Sequence, residues 1–506
     1  MEEFTWWSEE QRKFARDVKE FVAEIRPRAE EAYWKREFPW DIVDTMTKAG
    51  YFKVGIPKEY GGRGLGATGC CITMEETSRI PVVGRIFGGS VLGGLRQVIE
   101  FGTEEQKRRF LPKMAEGALG AIALTEPFVG TDAAGIETVA KRDGDQYLIT
   151  GKKRYVTGAG VASLYMLYAR TSDEPEDVRK HRHLTAFLLE KGMPGFTVEK
   201  INEIGGFDNT LNGYLNLDEV PVPVSNRIGE EGEGWRVMTA GLNLERTVLA
   251  AEAVGWLREA LSSVVPYAKR RIQFGRPTID MPTNQFKISD LIIKLKMARL
   301  VSYYTAHLLD MGQDPGIEAS ISKVYSTDMA MAGSVEAIQI MGGDGVTKFY
   351  PLQRLFQESK IEQIAGGTNE ASKLVIYRTG LRTMAEEFKM PRRIIHDELG
   401  VPITSAGKPL KQSRVDEDKL LKVLAEDYRV NPGLYMSRDD LKEEFDVSDE
   451  ALDNVMVSLE QKKLVKLYQV GTESKLCKAT YEGLRKANPS EYYRWFPSWV
   501  RERDIF

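Results

Sequence analysis

The sequence predicts a mainly α-helical protein with a central β-barrel and a small C-terminal α/β module resembling a winged helix. Three observations predict it. Apolar residues recur at helical spacing near both ends of the first 389 positions. Between about 120 and 233 the pattern changes to short β-like runs separated by polar turns. A stretch punctuated by Pro and Gly then sets off a last segment with its own helix starts. At 506 residues the chain exceeds one compact core, so several segments are expected. They are an N-terminal helical domain over 1–120, the β-barrel over 121–233, a helical bundle over 234–389, a linker over 390–414 and the winged-helix-like extension over 415–506.

Each element has a local reason. Phe14, Val18, Phe21, Val22 and Ile25 share one helical face, and Pro27 is expected to end it. Ile42, Val43, Met46 and Ala49 form a second face that stops at Gly50. The Gly-rich run from Gly55 to Gly66 has no strand before it and no βαβ unit around it. It reads as a connector where backbone packs closely, not as a nucleotide loop. Tyr147–Gly151, Leu164–Ala169 and Leu184–Leu189 read as strands, Asp143-Gly144-Asp145 as a turn, and Thr171–Lys180 as a charged exposed loop. Leu249, Ala253, Trp256, Leu257, Ala260 and Val264 make one stripe, and Ile288, Leu291, Ile292, Leu295 and Ala298 another, as in an antiparallel bundle.

Pro391, Pro402, Gly407 and Pro409 mark the linker. Beyond it, Leu420, Leu421, Val423 and Leu424 suit a helix, and Ser437 and Ser448 each open another. Leu464–Val470 and Lys475–Ala479 suit two strands about Gly471-Thr472. Three helices and a hairpin is the winged-helix order. The third helix would be the one that reads DNA, yet Asp449, Glu450 and Asp453 would repel phosphates. A docking or regulatory role is expected there, and nucleic acid is not an expected partner.

The net charge of −4 argues against a general binder of nucleic acid or anionic membrane. No apolar run reaches the length that spans a bilayer. The acidic start Met1-Glu2-Glu3-Phe4-Thr5 is neither a signal peptide nor an Arg-rich transit sequence. Three cysteines, Cys70, Cys71 and Cys477, build no disulfide framework, and the histidines have no metal-site spacing. A reducing cytoplasm is the expected location.

The chemistry enters at Ala123-Leu124-Thr125-Glu126-Pro127-Phe128-Val129-Gly130-Thr131-Asp132. Further stretches follow in order: Tyr155-Val156-Thr157, Arg271-Ile272-Gln273-Phe274-Gly275, Gln339-Ile340-Met341-Gly342-Gly343 and Gly366-Gly367-Thr368-Asn369-Glu370. With the Tyr60-Gly61-Gly62 loop upstream, this series over about residues 5–383 resembles the acyl-CoA dehydrogenase family of flavoenzymes. The resemblance implies a helical domain, a β-barrel and a four-helix bundle, with FAD between barrel and bundle. The C-terminal module lies outside it.

By position in the resemblance, Leu124, Thr125, Gly130 and Thr131 line the flavin, where amides and hydroxyls can bond its polar edge. Tyr155 stands where the family often has Trp, as a flat packing surface, and Thr157 near the flavin's reactive edge. Arg271, Gln273 and Phe274 match a segment that reaches FAD in a neighbouring subunit, Arg suiting a pyrophosphate. Gln339, Gly342 and Gly343 match a second such contact, and Thr368 and Glu370 are taken with the cofactor set. Shared sites imply an oligomer, commonly a homotetramer. Thr131, Asn243 and Arg246 are candidate substrate contacts. Arg85 is a further one, because it falls within about a residue of where the glutaryl-CoA branch holds its substrate's distal carboxylate; a structural arginine is the other reading.

Many family members carry the catalytic base in a Glu-Gly-Thr motif near the end of the bundle. Here that place reads Gly366-Gly367-Thr368. The isovaleryl-CoA and long-chain branches place it on a bundle helix in a Leu-Glu-Arg context, which is Leu244-Glu245-Arg246 here. The resemblance therefore implies Glu245 as the base, with Glu370 and Glu362 as rivals, and an oxyanion hole that includes the backbone N–H of Gly366. The implied reaction removes the α-proton of an acyl-CoA thioester as hydride leaves the β-carbon for FAD. A 2-enoyl-CoA results, and electrons pass to an electron-transfer flavoprotein. Gln357-Glu358, Asn243 and Gly205–Asn209 depart from family patterns and leave the substrate open. Competing readings are a flavin oxidase or monooxygenase on the same fold, and a DNA-associated alkylation-response flavoprotein, which also has a C-terminal extension. A binding scaffold with a vestigial site is opposed by the retained Glu245.

Overall fold

A computed structural model describes residues 3–384, 412–430, 433–470 and 474–487. Most of the expected linker, the Gly471-Thr472 turn and the residues after 487 lie outside these. The chain divides into two compact units, Met1–Glu386 and Glu387–Phe506.

The first unit opens with α1 (Glu9–Lys35), started by Ser8 in a capping box with Gln11. Pro27 lies inside this helix and does not end it. The buried stripe continues to Ala29, so packing outweighs the local cost of proline. Next come α2 (Trp40–Ala49), α3 (Gly66–Thr77), α4 (Val83–Leu92), α5 (Leu95–Phe101) and α6 (Glu104–Ala115). Between α2 and α3 the Gly-rich connector packs as tightly as expected: a Cβ on Gly62 would lie 1.8 Å from the Ile56 carbonyl oxygen.

Eight strands follow: β1 (Gly120–Ala123), β2 (Val139–Asp143), β3 (Gln146–Val156), β4 (Leu164–Arg170), β5 (Leu184–Glu190), β6 (Phe196–Ile201), β7 (Gly213–Pro223) and β8 (Arg227–Ile228). A short helix α7 (Pro175–Arg179) interrupts the charged loop between β4 and β5. The strand order is β6-β7-β3-β2-β4-β5-β8, with β1 also paired to β4. The ends β6 and β8 do not pair, so the expected barrel is an open sheet. Closure depends on hydrogen bonds between the first and last strands of the path. Alternation along a strand reports only which face is buried. Strands β4 and β5 are buried on both faces. Leu164, Met166 and Tyr168 join the core shared with the helices, and Tyr165, Leu167 and Ala169 join a core within the sheet. That explains their unbroken apolar sequence.

The bundle contains α8 (Gly234–Arg270), a hairpin of β9 (Ile272–Gln273) and β10 (Arg276–Pro277), α9 (Pro282–Asp310), α10 (Glu318–Met341), α11 (Leu352–Glu362) and α12 (Asn369–Thr383). Helix α8 packs on α9 and α10, and α3 packs on α8 and α9. No described helix is long and apolar enough to cross a membrane.

The second unit has α13 (Glu417–Val430), β11 (Met436–Ser437), α14 (Arg438–Glu444), α15 (Asp449–Gln461), β12 (Val465–Val470), β13 (Ser474–Ala479) and α16 (Tyr481–Ala487). Its antiparallel sheet runs β11-β13-β12 over a core that includes Leu420, Leu441, Phe445, Met456 and Cys477. Arg438 pairs with Asp449 and Asp453, and Lys442 with Asp449, so the acidic start of α15 is largely neutralised within the unit.

Candidate active site

Helix α8 is anchored by buried Leu244, Thr247 and Val248, which leaves Glu245 on an adjoining face. That face meets the turn between α11 and α12. Gly366 and Gly367 take φ of 64° and 84° there, a conformation that glycine adopts without steric cost. A Cβ built on Gly366 would lie 3.5 Å from Glu245 Oε1 and 2.8 Å from Leu249 Cδ1. A side chain at 366 and the actual side chain at 245 therefore address the same space.

The turn is held from two sides. Arg246 Nε donates to the Gly366 carbonyl at 3.4 Å, and Arg246 Nη1 donates to Ser320 Oγ at 3.2 Å. From α10, Lys323 Nζ donates to the Gly367 carbonyl at 2.9 Å and to Asn369 Oδ1 at 2.7 Å. Asn369 in turn donates to Thr327 Oγ1 and Asp328 Oδ1. Thr368 caps α12 by accepting from Ala371 N–H at 3.1 Å, and Glu370 is exposed in the first turn.

Loss of hydration pushes the Glu245 carboxyl up to about 7, against the pull of Arg246 and with a further push from Glu362. A carboxyl that titrates there is suited to take a proton near neutral pH. Arg85, expected among the substrate contacts, donates to Glu252 at 2.7 Å and to Glu362, and its guanidinium lies 4.1 Å from the Phe207 ring centroid. Burial raises the Glu252 carboxyl well above its ordinary value, opposed by Arg85. The rival Glu362 is thus fully buried in this ion cluster. Asn243 is half-buried on α8, and its carbonyl accepts from Thr247 Oγ1.

Three family models match the chain: the acyl-CoA dehydrogenase N-terminal domain over 8–118, the middle domain over 121–220 and the C-terminal domain over 232–381. An acyl-CoA dehydrogenase of Bacillus subtilis is 37% identical over 373 residues, covering 73% of this chain and 97% of that protein. The chain belongs to the acyl-CoA dehydrogenase family. It is an FAD-dependent enzyme of that family. Butyryl-CoA dehydrogenase of Megasphaera elsdenii superimposes with a TM-score of 0.72 at 32% identity, over 75% of this chain and all of that one. A chain from a structure of the electron transferring flavoprotein of Acidaminococcus fermentans matches with a TM-score of 0.72 at 34% identity, over the same shares.

The residues of this acyl-CoA dehydrogenase homologue suit FAD. Lys153 is fully buried on β3 and draws inward the Leu124 carbonyl at 3.1 Å and Glu126 Oε1 at 2.7 Å. Thr125 is bonded on the same side, its carbonyl accepting from Arg154 N–H at 2.8 Å. No atom lies within 4 Å of a Cβ built on Gly130, so a flat group can lie against the backbone there, beside exposed Thr131. Tyr155 holds a positive φ of 56° and is 55% exposed. Thr157 Oγ1 accepts from Asn212 Nδ2 at 3.3 Å, which leaves its own O–H to donate outward. An aromatic shelf beside aimed donors is the chemistry that a flavin ring requires.

The other expected cofactor residues lie on exposed surfaces. Arg271 follows the last residue of α8, Gln273 is on the β9–β10 hairpin, and Phe274 at its tip is 95% exposed with φ 49°. Gln339 is exposed near the end of α10, and nothing lies within 4 Å of a Cβ on Gly342 or Gly343. Sequence reasoning missed Lys153 and Lys323. For Lys323 a signal exists: it is the one charge in the run Ala319–Thr327, where small and apolar residues mark a buried helix.

Proposed function

We propose that this chain dehydrogenates an acyl-CoA thioester at its α and β carbons to give a 2-enoyl-CoA, with Glu245 as the base that takes the α-proton. The observation that carries this reading is the 3.5 Å approach of Glu245 Oε1 to the side-chain position that Gly366 leaves empty. A carboxylate on α8 thereby stands in for one on the turn, and the glycine allows both the backbone conformation and the room. Burial keeps Glu245 basic enough to act, and the Gly366 N–H, on a turn that Arg246 and Lys323 hold, is proposed to bond the thioester oxygen as negative charge develops. FAD, when bound, supplies the hydride acceptor, and an electron-transfer flavoprotein is the onward partner that the likeness to the Acidaminococcus structure supports.

Leu124, Thr125, Gly130, Thr131, Tyr155 and Thr157 are proposed to hold the flavin of the same subunit. Arg271, Gln273, Phe274, Gln339, Gly342 and Gly343 are proposed to hold that of a neighbouring one. Thr131, Asn243 and Arg246 are the proposed substrate contacts. Arg85, committed to Glu252 and Glu362, is read as a tie between α4, α8 and α11, which favours an acyl chain without a distal acid. A homotetramer is supported by exposed apolar side chains on α9: Phe286, Ile293, Met297, Leu300 and Tyr304, at spacings of helical period. The order of elements in the second unit supports a winged-helix docking module.

The deciding experiment is anaerobic bleaching of the flavin band by straight, branched, cyclic, aromatic and dicarboxylic acyl-CoAs. Bleaching by one class establishes dehydrogenation and names the substrate. No bleaching by any, with FAD bound, overturns the reading.

A further inference from the structure

Lys323 is a fully buried lysine whose two hydrogen-bond partners, Gly367 O and Asn369 Oδ1, are neutral oxygens. A buried ammonium gives up its hydration, a cost that charge or hydrogen bonding must offset, so its place beside the proposed base calls for a reason. We propose that Lys323 is a positioning residue, its ammonium fixing the Gly366–Gly367 turn against Glu245 and lending that carboxylate a positive charge. This rests on the reading of Glu245 as the base.

The geometry gives the grip on the turn, and the charges gathered around it bear on the base. The Gly367 carbonyl bonded by Lys323 is one peptide from the Gly366 carbonyl bonded by Arg246, so two cations from α8 and α10 grip consecutive peptides of one turn. That grip holds the two peptides that follow the Gly366 N–H, and so the turn that carries it. Asn369, the other Lys323 partner, is itself fixed to Thr327, Asp328 and the Gln363 carbonyl, so the lysine is tied to both ends of the turn. The charges that face Glu245 are Arg246 on its own helix, Arg85 from α4, Glu362 from α11 and Lys323 from α10. Those that face Lys323 are Glu362, Arg246, Glu245 and Asp328. Arg85 is shared with Glu252 and Glu362, so Arg246, Arg85 and Lys323 together are the cations that offset burial at the base. Loss of hydration lowers the ammonium to about 8, and the surrounding carboxylates hold it charged at neutral pH.

The test separates charge from hydrogen bonding. Lys323→Gln keeps a donor for Gly367 O and removes the charge; Lys323→Met removes both. Each is followed by the pH dependence of anaerobic flavin bleaching, by exchange of the substrate's α-hydrogen with solvent deuterium, and by thermal melting. With its cation gone, Glu245 holds its proton to higher pH. The acid limb of both bleaching and exchange is expected to move up by on the order of one pH unit in Lys323→Gln. Lys323→Met, lacking the tether as well, is expected to lose a further factor of about 10 in rate on the plateau. Unchanged acid limbs with lowered melting in Lys323→Gln would reduce Lys323 to a structural residue and overturn the inference. If Lys323→Met does not fold, the glutamine variant decides alone. A wild-type enzyme that bleaches and a Glu245→Gln variant that does not would leave the base assignment standing whatever Lys323 does.

Discussion

Replacing Glu245 with glutamine removes one charge and little volume, so it isolates the charge of the proposed base. The carboxyl is displaced from an ordinary 4.5 to about 7, chiefly by loss of hydration. At about 1.36 kcal/mol per pH unit, the folded protein disfavours the ionised form by up to about 3 kcal/mol. The sign follows from which state binds more protons. Between about 4.5 and 7 the unfolded chain ionises this glutamate while the folded chain retains the proton, so stability falls as pH rises through that window and stays level above it. Below the window both states are protonated and no difference remains. Glu245→Gln is therefore expected to be more stable than wild type at pH 8, by up to about 3 kcal/mol, and equal to it near pH 4. It should also fail to bleach flavin with any acyl-CoA. In the wild type, bleaching should follow an acid limb centred near 7. Melting curves at several pH values and stopped-flow bleaching measure the two sides independently. A variant that bleaches normally would refute the base assignment. One that loses bleaching with no gain in stability at pH 8 would refute the account of burial.

Two other perturbations reach different parts of the molecule. Lys153→Met leaves Glu126 buried without its counter-charge and releases the Leu124 carbonyl, so it should cost roughly 3–5 kcal/mol and weaken flavin retention; melting and flavin content after gel filtration measure both, and wild-type values for both would refute the clamp. Lys at both 293 and 300 (Ile293→Lys with Leu300→Lys) puts two charges on the exposed stripe of α9, and sedimentation should then show smaller species with each subunit still folded.

Much of the helical architecture was legible because its signals are local. Ser437 and Ser448 each start a helix as their position implies, since a serine oxygen accepts from an N–H three residues on. Gly50 ends α2 with φ 72° for the same kind of reason. Pro27 misled because a stripe reaching Ala29 outweighs one lost backbone bond. Strand β11 and helix α16 were not read, being short elements that tertiary pairing and packing sustain.

Family membership, the use of FAD and the candidate base were determined by the sequence alone, because motif order and a single Leu-Glu-Arg context survive in one dimension. Only the tertiary structure decided that the sheet stays open, that Arg85 is already held by two carboxylates and that Lys153 is buried. It also decided that positions 245 and 366 meet in one space. Burial, closure and pairing arise between residues far apart in the chain, such as Arg246 and the Gly366 carbonyl at a separation of 120 positions. No local pattern carries that information, because hydration is lost only where distant elements pack together.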